Sequence, residues 1–277
     1  MSSLARPPVR PSVRVTLAQI AASADHAANL VVARDAFVAA QRVRSDLLVL
    51  PEYASAFDPR GVGPEHAQPL TGSYVTGLRE AAAATGVAVL AGTTVPGDGD
   101  DWRATNAIIA IDRTGELAGV YRKVHLYDAF ESTESDRFRP GPADAPPLVL
   151  DLEGTRFGVM TCYDLRFPES ARRLVDAGAE VLVVPAAWVD GDLKAMHWRA
   201  LAVARAIENT AAVVAVGMAG KGLVGRSLVV GPDGAVGLAM DEQPAIRTVD
   251  LDPERLRSVR VHNPSLANRR YRVVPRD

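Results

Sequence analysis

TRFGVMTCYDLRFPESARRLVDAGAEVLVVPAAW, residues 155–188, reads as a strand, a helix and a second strand. The run up to Cys162 is short and apolar. FPESARRLVDAGAE then opens with Pro168 near the first helical position and stops at Gly178, which suits a proline start and a glycine end. EVLVVPAAW returns to an apolar strand pattern. Outward from this unit the alternation continues, with a helix in LKAMHWRALAVARAIENT and a strand in AAVVAVGMAG. Towards the N-terminus VRVTLAQI is a strand, and in DHAANLVVARDAFVAAQRVRS the residues Leu30, Phe37 and Val38 recur at helical spacing, with Ala33 and Ala40 between them and Asp25 as N-cap. LLVLPE, Leu47 to Glu52, is a continuous apolar run stopped by proline, as expected of a strand buried on both faces. YVTGLREAAAATG is a helix leading to the strand VAVLAGTTV.

The middle of the chain differs. TNAIIAID and LAGVYRKV flank the turn-like residues Arg113 to Glu116, which suggests antiparallel pairing and therefore a mixed sheet. Two further strand-like pieces surround Pro232, Asp233 and Gly234, and a short PERLRSVR helix precedes a polar, basic tail. No repeat of fixed period is visible, and no Ser/Gly/Pro-rich linker interrupts Val13 to Asp252. The expectation is an α/β chain with a flexible leader over residues 1–11, one domain over 12–262 with helices covering β layers, and a C-terminal tail over 263–277.

Composition narrows the function classes. Of 277 residues 48% are hydrophobic and 23% charged, a globular balance that excludes a disordered chain. A net charge of −2 gives no bulk attraction to nucleic acid or to an anionic membrane. The longest apolar stretches, Val181 to Val189 and Ala211 to Ala219, fall short of the ~20 residues that a spanning helix needs. A single cysteine excludes an intrachain disulfide framework and a multi-thiolate zinc site, and it fits a reducing compartment, so the cytoplasm is expected. The arginines and prolines of MSSLARPPVRPSVRV interrupt any export signal. Five scattered histidines and one cysteine offer no clustered ligand set, so neither metal nor cofactor is expected.

Three polar residues stand at strand ends, where open α/β sheets place their sites: Cys162 after RFGVMT, Glu52 after LLVLP, and Lys123 in GVYRKVHLYD. Each has a plain alternative, respectively an inert core thiol, a solvated loop carboxylate and an edge-strand lysine. Together they meet the needs of acyl transfer from a carboxamide: a thiol nucleophile, a carboxylate base and a cation for the oxyanion. A Cys–His pair through His125 or His197 is the competing arrangement. The glycine cluster GMAGKGLVG around Lys221 lacks the Gly-Lys-Ser/Thr ending of a phosphate loop.

LLVLPE around Glu52, YRKVHLYD around Lys123 and CYDLRFPES from Cys162, in that order and spacing, resemble the nitrilase superfamily of carbon–nitrogen hydrolases, specifically its single-domain amidase branch. The resemblance implies a four-layer α-β-β-α sandwich with mixed sheets, a homodimer or higher homo-oligomer, and a small-molecule amide substrate. It also implies roles: Glu52 as general base, Lys123 as stabiliser of the tetrahedral intermediate, Cys162 as the residue that forms a thioester, and the Tyr163 amide beside Lys123 in the oxyanion hole. Glu134, by its spacing before Pro140-Gly141, is the fourth acid that positions substrate and lysine, with Glu131 as fallback. Trp188 and the loop from Val189 to Leu193 would border the acyl pocket. Arg166 and Glu169 would form a salt-bridged scaffold, His197 and Trp198 a packed pair, and Arg226 either a substrate-carboxylate ligand or a surface residue. Cys-Tyr-Asp resembles amidases rather than nitrilases, in the branch of ω-amidases and deaminated-glutathione amidases. The implied activity is hydrolysis of a small carboxamide, releasing ammonia and a carboxylic acid. Leu223 to Ser227 lacks the tyrosine of that branch's Tyr-x-Gly-x-Ser segment. An N-carbamoyl amino acid hydrolase, or a catalytically silent binding protein on the same scaffold, are the alternatives.

Overall fold

The computed structural model describes residues 12–99 and 101–276, so the leader expected over 1–11 lies outside the described residues. The first half of the chain runs β1 (Val13–Gln19), α1 (His26–Arg42), β2 (Leu47–Val49), α2 (Ser73–Thr85), β3 (Ala88–Val95), β4 (Thr105–Ile111) and β5 (Leu117–Arg122). A small hairpin of β6 (Asp128–Ala129) and β7 (Ser132–Thr133) follows. The second half runs β8 (Val149–Leu152), β9 (Thr155–Val159), α3 (Pro168–Asp176), β10 (Val181–Ala186), α4 (Lys194–Asn209), β11 (Ala212–Gly217), β12 (Leu228–Val230), β13 (Val236–Ala239), β14 (Ala245–Leu251) and α5 (Pro253–His262).

Two mixed six-stranded sheets result, in the orders β14-β1-β2-β3-β4-β5 and β13-β12-β11-β10-β9-β8. The halves pair alike. β1 to β2 and β2 to β3 are parallel, then β4 and β5 are added antiparallel; β9 to β10 and β10 to β11 are parallel, then β12 and β13 are added antiparallel. β14 and β8 occupy matching antiparallel edges. The duplication is one of topology, which unequal loops hide from any fixed period in the sequence.

Strand alternation explains the four layers. In β2, Leu47 and Val49 enter the core between the sheets, whereas Leu48 enters the core beneath α1 and α2. In β10, Val181 and Val183 face the other sheet, whereas Leu182 and Val184 face α3 and α4. Both faces of each central strand are thus buried, so the apolar runs are continuous rather than alternating. The α1 face that packs inward is Ala33, Ala36, Phe37 and Ala40; Val38, grouped with these by spacing, is 43% exposed because it lies one residue round from Phe37. Asp25 caps α1 by accepting from the Ala27 and Ala28 amides. Among the described residues no helix is long and apolar enough to cross a membrane.

Candidate active site

Glu52 follows β2 and Leu50-Pro51, and β3 holds it there: the Gly92 amide donates to the Pro51 carbonyl at 3.1 Å, and the Ser55 amide donates to the Gly92 carbonyl at 3.2 Å. A Cβ on Gly92 would stand 2.5 Å from the Glu52 Cα, so only glycine permits this approach. Lys123 extends β5 by one residue, its amide donating to the Asn106 carbonyl at 2.9 Å. Cys162 comes from the opposite sheet. β9 ends at Val159, earlier than its apolar pattern suggests, and Cys162 begins a one-turn helix over Cys162–Arg166 with φ at +46°. That left-handed conformation is strained for a residue with a Cβ, by roughly 1–3 kcal/mol. The Thr161 hydroxyl secures the turn by donating to the Pro185 carbonyl at 2.7 Å.

The three elements meet around one buried ion network. Lys123 Nζ donates to Glu52 Oε1 at 2.9 Å and to Glu134 Oε2 at 2.9 Å. Asn106 Nδ2 donates to Glu52 Oε1 at 2.7 Å and to Glu134 Oε1 at 3.1 Å. The other Glu52 oxygen accepts from the Ala187 amide at 2.7 Å. Glu134 also accepts from the Tyr53 hydroxyl at 2.7 Å and the Tyr127 amide at 2.6 Å. Burial alone would lower the Lys123 ammonium, but Glu134 and Glu52 outweigh it and raise it well above the ordinary lysine value. Burial opposes the Glu134 carboxylate, yet Lys123 and the hydrogen bonds it accepts bring it below the ordinary value. Burial and the Glu52 carboxylate push the Cys162 thiol well up, with Lys123 pulling the other way. The resting nucleophile is therefore a thiol beside a carboxylate, suited to losing its proton during attack.

A cavity of about 340 Å³ opens over this network, and Glu52, Lys123, Cys162, Glu134, Tyr163 and Trp188 are among the residues that line it. Glu131 is exposed at the tip of the β6–β7 hairpin and does not line the cavity. His125 is held by Asp164 and faces a different cavity, and His197 lines neither, so no Cys–His pair forms with these histidines. Arg226 pairs with Glu242 at the surface, away from Cys162. The expected Arg166–Glu169 scaffold is absent among the described ion pairs. Instead the Arg166 guanidinium stands over the Trp188 ring at 4.8 Å and the Phe130 ring at 5.7 Å, inside the cavity, with Nε and one terminal nitrogen buried and without hydrogen-bond partners. His197 and Trp198 remain in α4, where Trp198 packs against Trp188 at 5.3 Å between ring centroids.

Sequence reasoning missed Tyr53, Asn106 and Lys194. Asn106 is the amide side chain in TNAIIAI, a wholly buried strand that is apolar after it, which is a legible signal. Lys194 begins α4, the end where the helix dipole disfavours a cation, and this was the available clue. Its ammonium donates to the Tyr127 hydroxyl at 2.6 Å and lies 3.6 Å from the Phe130 ring centroid. Among the described residues no cluster of three or more His, Cys, Asp or Glu side chains is arranged to hold a metal ion.

The profile of the carbon-nitrogen hydrolase family matches residues 14–261. A deaminated glutathione amidase of Escherichia coli O157:H7 is 40% identical over 84% of this chain and 88% of its own length. In structure, the Caenorhabditis elegans NitFhit protein superposes with a TM-score of 0.86 at 26% identity, over 95% of this chain and 66% of that longer one. A glutamate-to-glutamine mutant of an amidase from Nesterenkonia sp. AN1, which shows the acetamide moiety of fluoroacetamide covalently added at its active-site cysteine, matches with a TM-score of 0.77 at 27% identity, over 97% of each chain.

Proposed function

This chain belongs to the carbon-nitrogen hydrolase family, and on that premise we propose that Glu52, Lys123 and Cys162 carry its hydrolysis of a small carboxamide through a thioester. The observation that carries this assignment is the convergence of Glu52, Lys123 and Glu134 in one hydrogen-bonded network beside the Cys162 thiol, within a cavity of about 340 Å³. Cys162 Sγ attacks the amide carbonyl as Glu52 takes the thiol proton. The oxyanion that forms is met by Lys123 Nζ and by the Tyr163 amide, which lies in the first turn of its short helix, where N–H groups have no partner within the helix. Glu52 returns the proton to the departing nitrogen, the C–N bond breaks, and a thioester remains. Water then attacks the thioester as Glu52 takes its proton, releasing the carboxylic acid and the thiol. Glu134 holds Lys123 in place from the far side, and Trp188 walls the acyl pocket.

The substrate we assign is an amide that bears a carboxylate, such as deaminated glutathione, the compound named for the bacterial relative. Support comes from Arg166 and Lys194: both line the cavity, Arg166 leaves Nε and one terminal nitrogen without hydrogen-bond partners, and the Lys194 ammonium donates to a neutral hydroxyl, that of Tyr127. A cation that faces a ligand cavity without an acidic partner is an invitation to an anion. We also assign a cytoplasmic location, which the single free cysteine suits, and a homodimer or higher oligomer; net charge of −2 argues against nucleic acid as a partner. Amine release across deaminated glutathione, ω-amides of keto and dicarboxylic acids, neutral aliphatic amides and N-carbamoyl amino acids tests the reading. Carboxylated amides are expected to lead. Neutral amides hydrolysed as efficiently would overturn the substrate class, release of CO₂ with ammonia from carbamoyl amino acids as the best substrates would move it to the carbamoyl reaction, and turnover of none would overturn the function.

A further inference from the structure

Behind the network of Glu52, Lys123 and Glu134 lies a third buried carboxylate, one that the reaction itself does not use. Asp164 is two residues beyond Cys162 and is fully buried. One of its oxygens accepts from the Thr161 amide at 2.9 Å and from the Tyr121 hydroxyl at 2.6 Å. The other accepts from the His125 amide at 3.2 Å and lies 2.8 Å from His125 Nδ1. Tyr121 in turn accepts from the Val124 amide at 3.3 Å. Two of its partners, Tyr121 and His125, thus flank Lys123 in the chain, and the third, Thr161, directly precedes Cys162. The His125 ring also stacks on Phe167, the residue that leads into α3, at 3.8 Å between centroids and 10° between planes.

We propose that Asp164 is a positioning residue for amide hydrolysis, tying the turn that presents Cys162 in the first sheet's direction to the segment that presents Lys123, and so fixing the gap between nucleophile and oxyanion cation. The proposal rests on the amidase reading. Cys162 and Lys123 follow strands of different sheets, β9 and β5, and among the described residues no strand pairing links those two sheets. Packing between sheets is non-directional, whereas four hydrogen bonds onto one carboxylate fix both distance and orientation. The left-handed Cys162 conformation, with φ at +46°, needs such over-determination to persist. An apolar residue could fill the same volume but could hold neither the Thr161 amide nor the Tyr121 hydroxyl.

Asp164→Asn keeps the volume and leaves one acceptor oxygen, so either the Thr161 and Tyr121 side or the His125 side faces an amide NH₂. The test measures kcat and KM on one carboxamide for Asp164→Asn, Tyr121→Phe, His125→Gln and the double variant Tyr121→Phe/Asp164→Asn, each rate divided by the fraction of Cys162 that alkylates in the folded protein. Because misplacement by ~1 Å can cost about 10²-fold, kcat per competent site is expected to fall by about that factor in Asp164→Asn, with KM within about threefold of wild type. Tyr121→Phe is expected to lose less, and to add little on the Asp164→Asn background, because Tyr121 acts through Asp164. If Asp164→Asn does not fold, Tyr121→Phe and His125→Gln carry the test, since each removes one contact and leaves Asp164 otherwise paired. Unchanged kcat per competent site in these variants, a rise in KM alone, or fully additive losses in the double variant would overturn the proposal. Failure of the amidase reading would show in the wild type, as absence of turnover on every amide; failure of this inference shows only in the variants.

Discussion

Glu52→Gln separates two effects of one carboxylate on Cys162. Glutamine keeps the volume and an acceptor for Lys123 Nζ and Asn106 Nδ2, which stand 2.9 and 2.7 Å from Glu52 Oε1. It has no useful proton affinity, so the thiol proton cannot be relayed and the thioester loses the base that activates water. General-base catalysis contributes about 10²–10⁴-fold, and a base used in both half-reactions belongs at the upper end, so kcat should fall by about 10³–10⁴-fold, or about 4–5 kcal/mol in the barrier. The electrostatic effect has the opposite sign. Beyond burial, the Glu52 anion raises the Cys162 thiol and Lys123 lowers it, so removing the anion lets the thiol ionise at lower pH. The rate of Cys162 alkylation by iodoacetamide, followed against pH, should therefore shift to lower pH in the variant while amide turnover collapses. One structural cost is foreseeable: if the new NH₂ faces the Ala187 amide, now 2.7 Å from Glu52 Oε2, a buried N–H is left unpaired at about 1–3 kcal/mol. Tm recorded alongside keeps unfolding apart from lost chemistry. A folded variant with activity within about tenfold of wild type would refute the assignment of Glu52 as the base, and an alkylation profile moved to higher pH would refute the electrostatic effect assigned to its anion.

Glu134→Gln removes one of the two anions that hold Lys123, which faces the oxyanion of both tetrahedral intermediates, and should reduce acylation and deacylation alike by about 10-fold or more, read by single-turnover kinetics; an effect on substrate binding alone would contradict a role through Lys123. Arg166→Met should raise KM for a carboxylated amide by about 10–100-fold, the value of a charged hydrogen bond, and leave a neutral amide within about threefold; a uniform change would dismiss the guanidinium as an anion ligand. Gly92→Ala places a methyl 2.5 Å from the Glu52 Cα, so the Glu52 loop must shift; a stability loss of about 1–3 kcal/mol by denaturant titration is expected together with lost activity, and wild-type values of both would contradict the close packing.

What the sequence disclosed follows from where each signal resides. β2, β10 and β11 are buried on both faces, so their continuous apolar runs stood out, and the proline and glycine that bracket α3 marked its ends. β8 and β14 went unread because they are edge strands that are only partly buried, VLDL and AIRTVDL, where charged residues break the apolar run. Cys162, Glu52 and Lys123 were legible because each follows a strand-like apolar run within a distinctive motif. Arg166 was misjudged because its motif neighbour Glu169 offered an obvious partner in sequence, whereas the one-turn helix at Cys162 directs the guanidinium toward Trp188 instead. The shared edge pattern of the two sheets was invisible for a different reason: hydrogen-bond topology repeats without any residue-by-residue repeat.

The thioester is the most direct point of attack. Wild-type protein mixed with a slowly hydrolysed carboxamide and quenched in acid during turnover should show, by intact mass and peptide mapping, one added acyl group on Cys162, formed and lost at rates that account for kcat. Cys162→Ala should show neither adduct nor turnover. Steady amide hydrolysis by Cys162→Ala, or turnover by the wild type with no acyl group ever present on Cys162, would contradict covalent catalysis at this site.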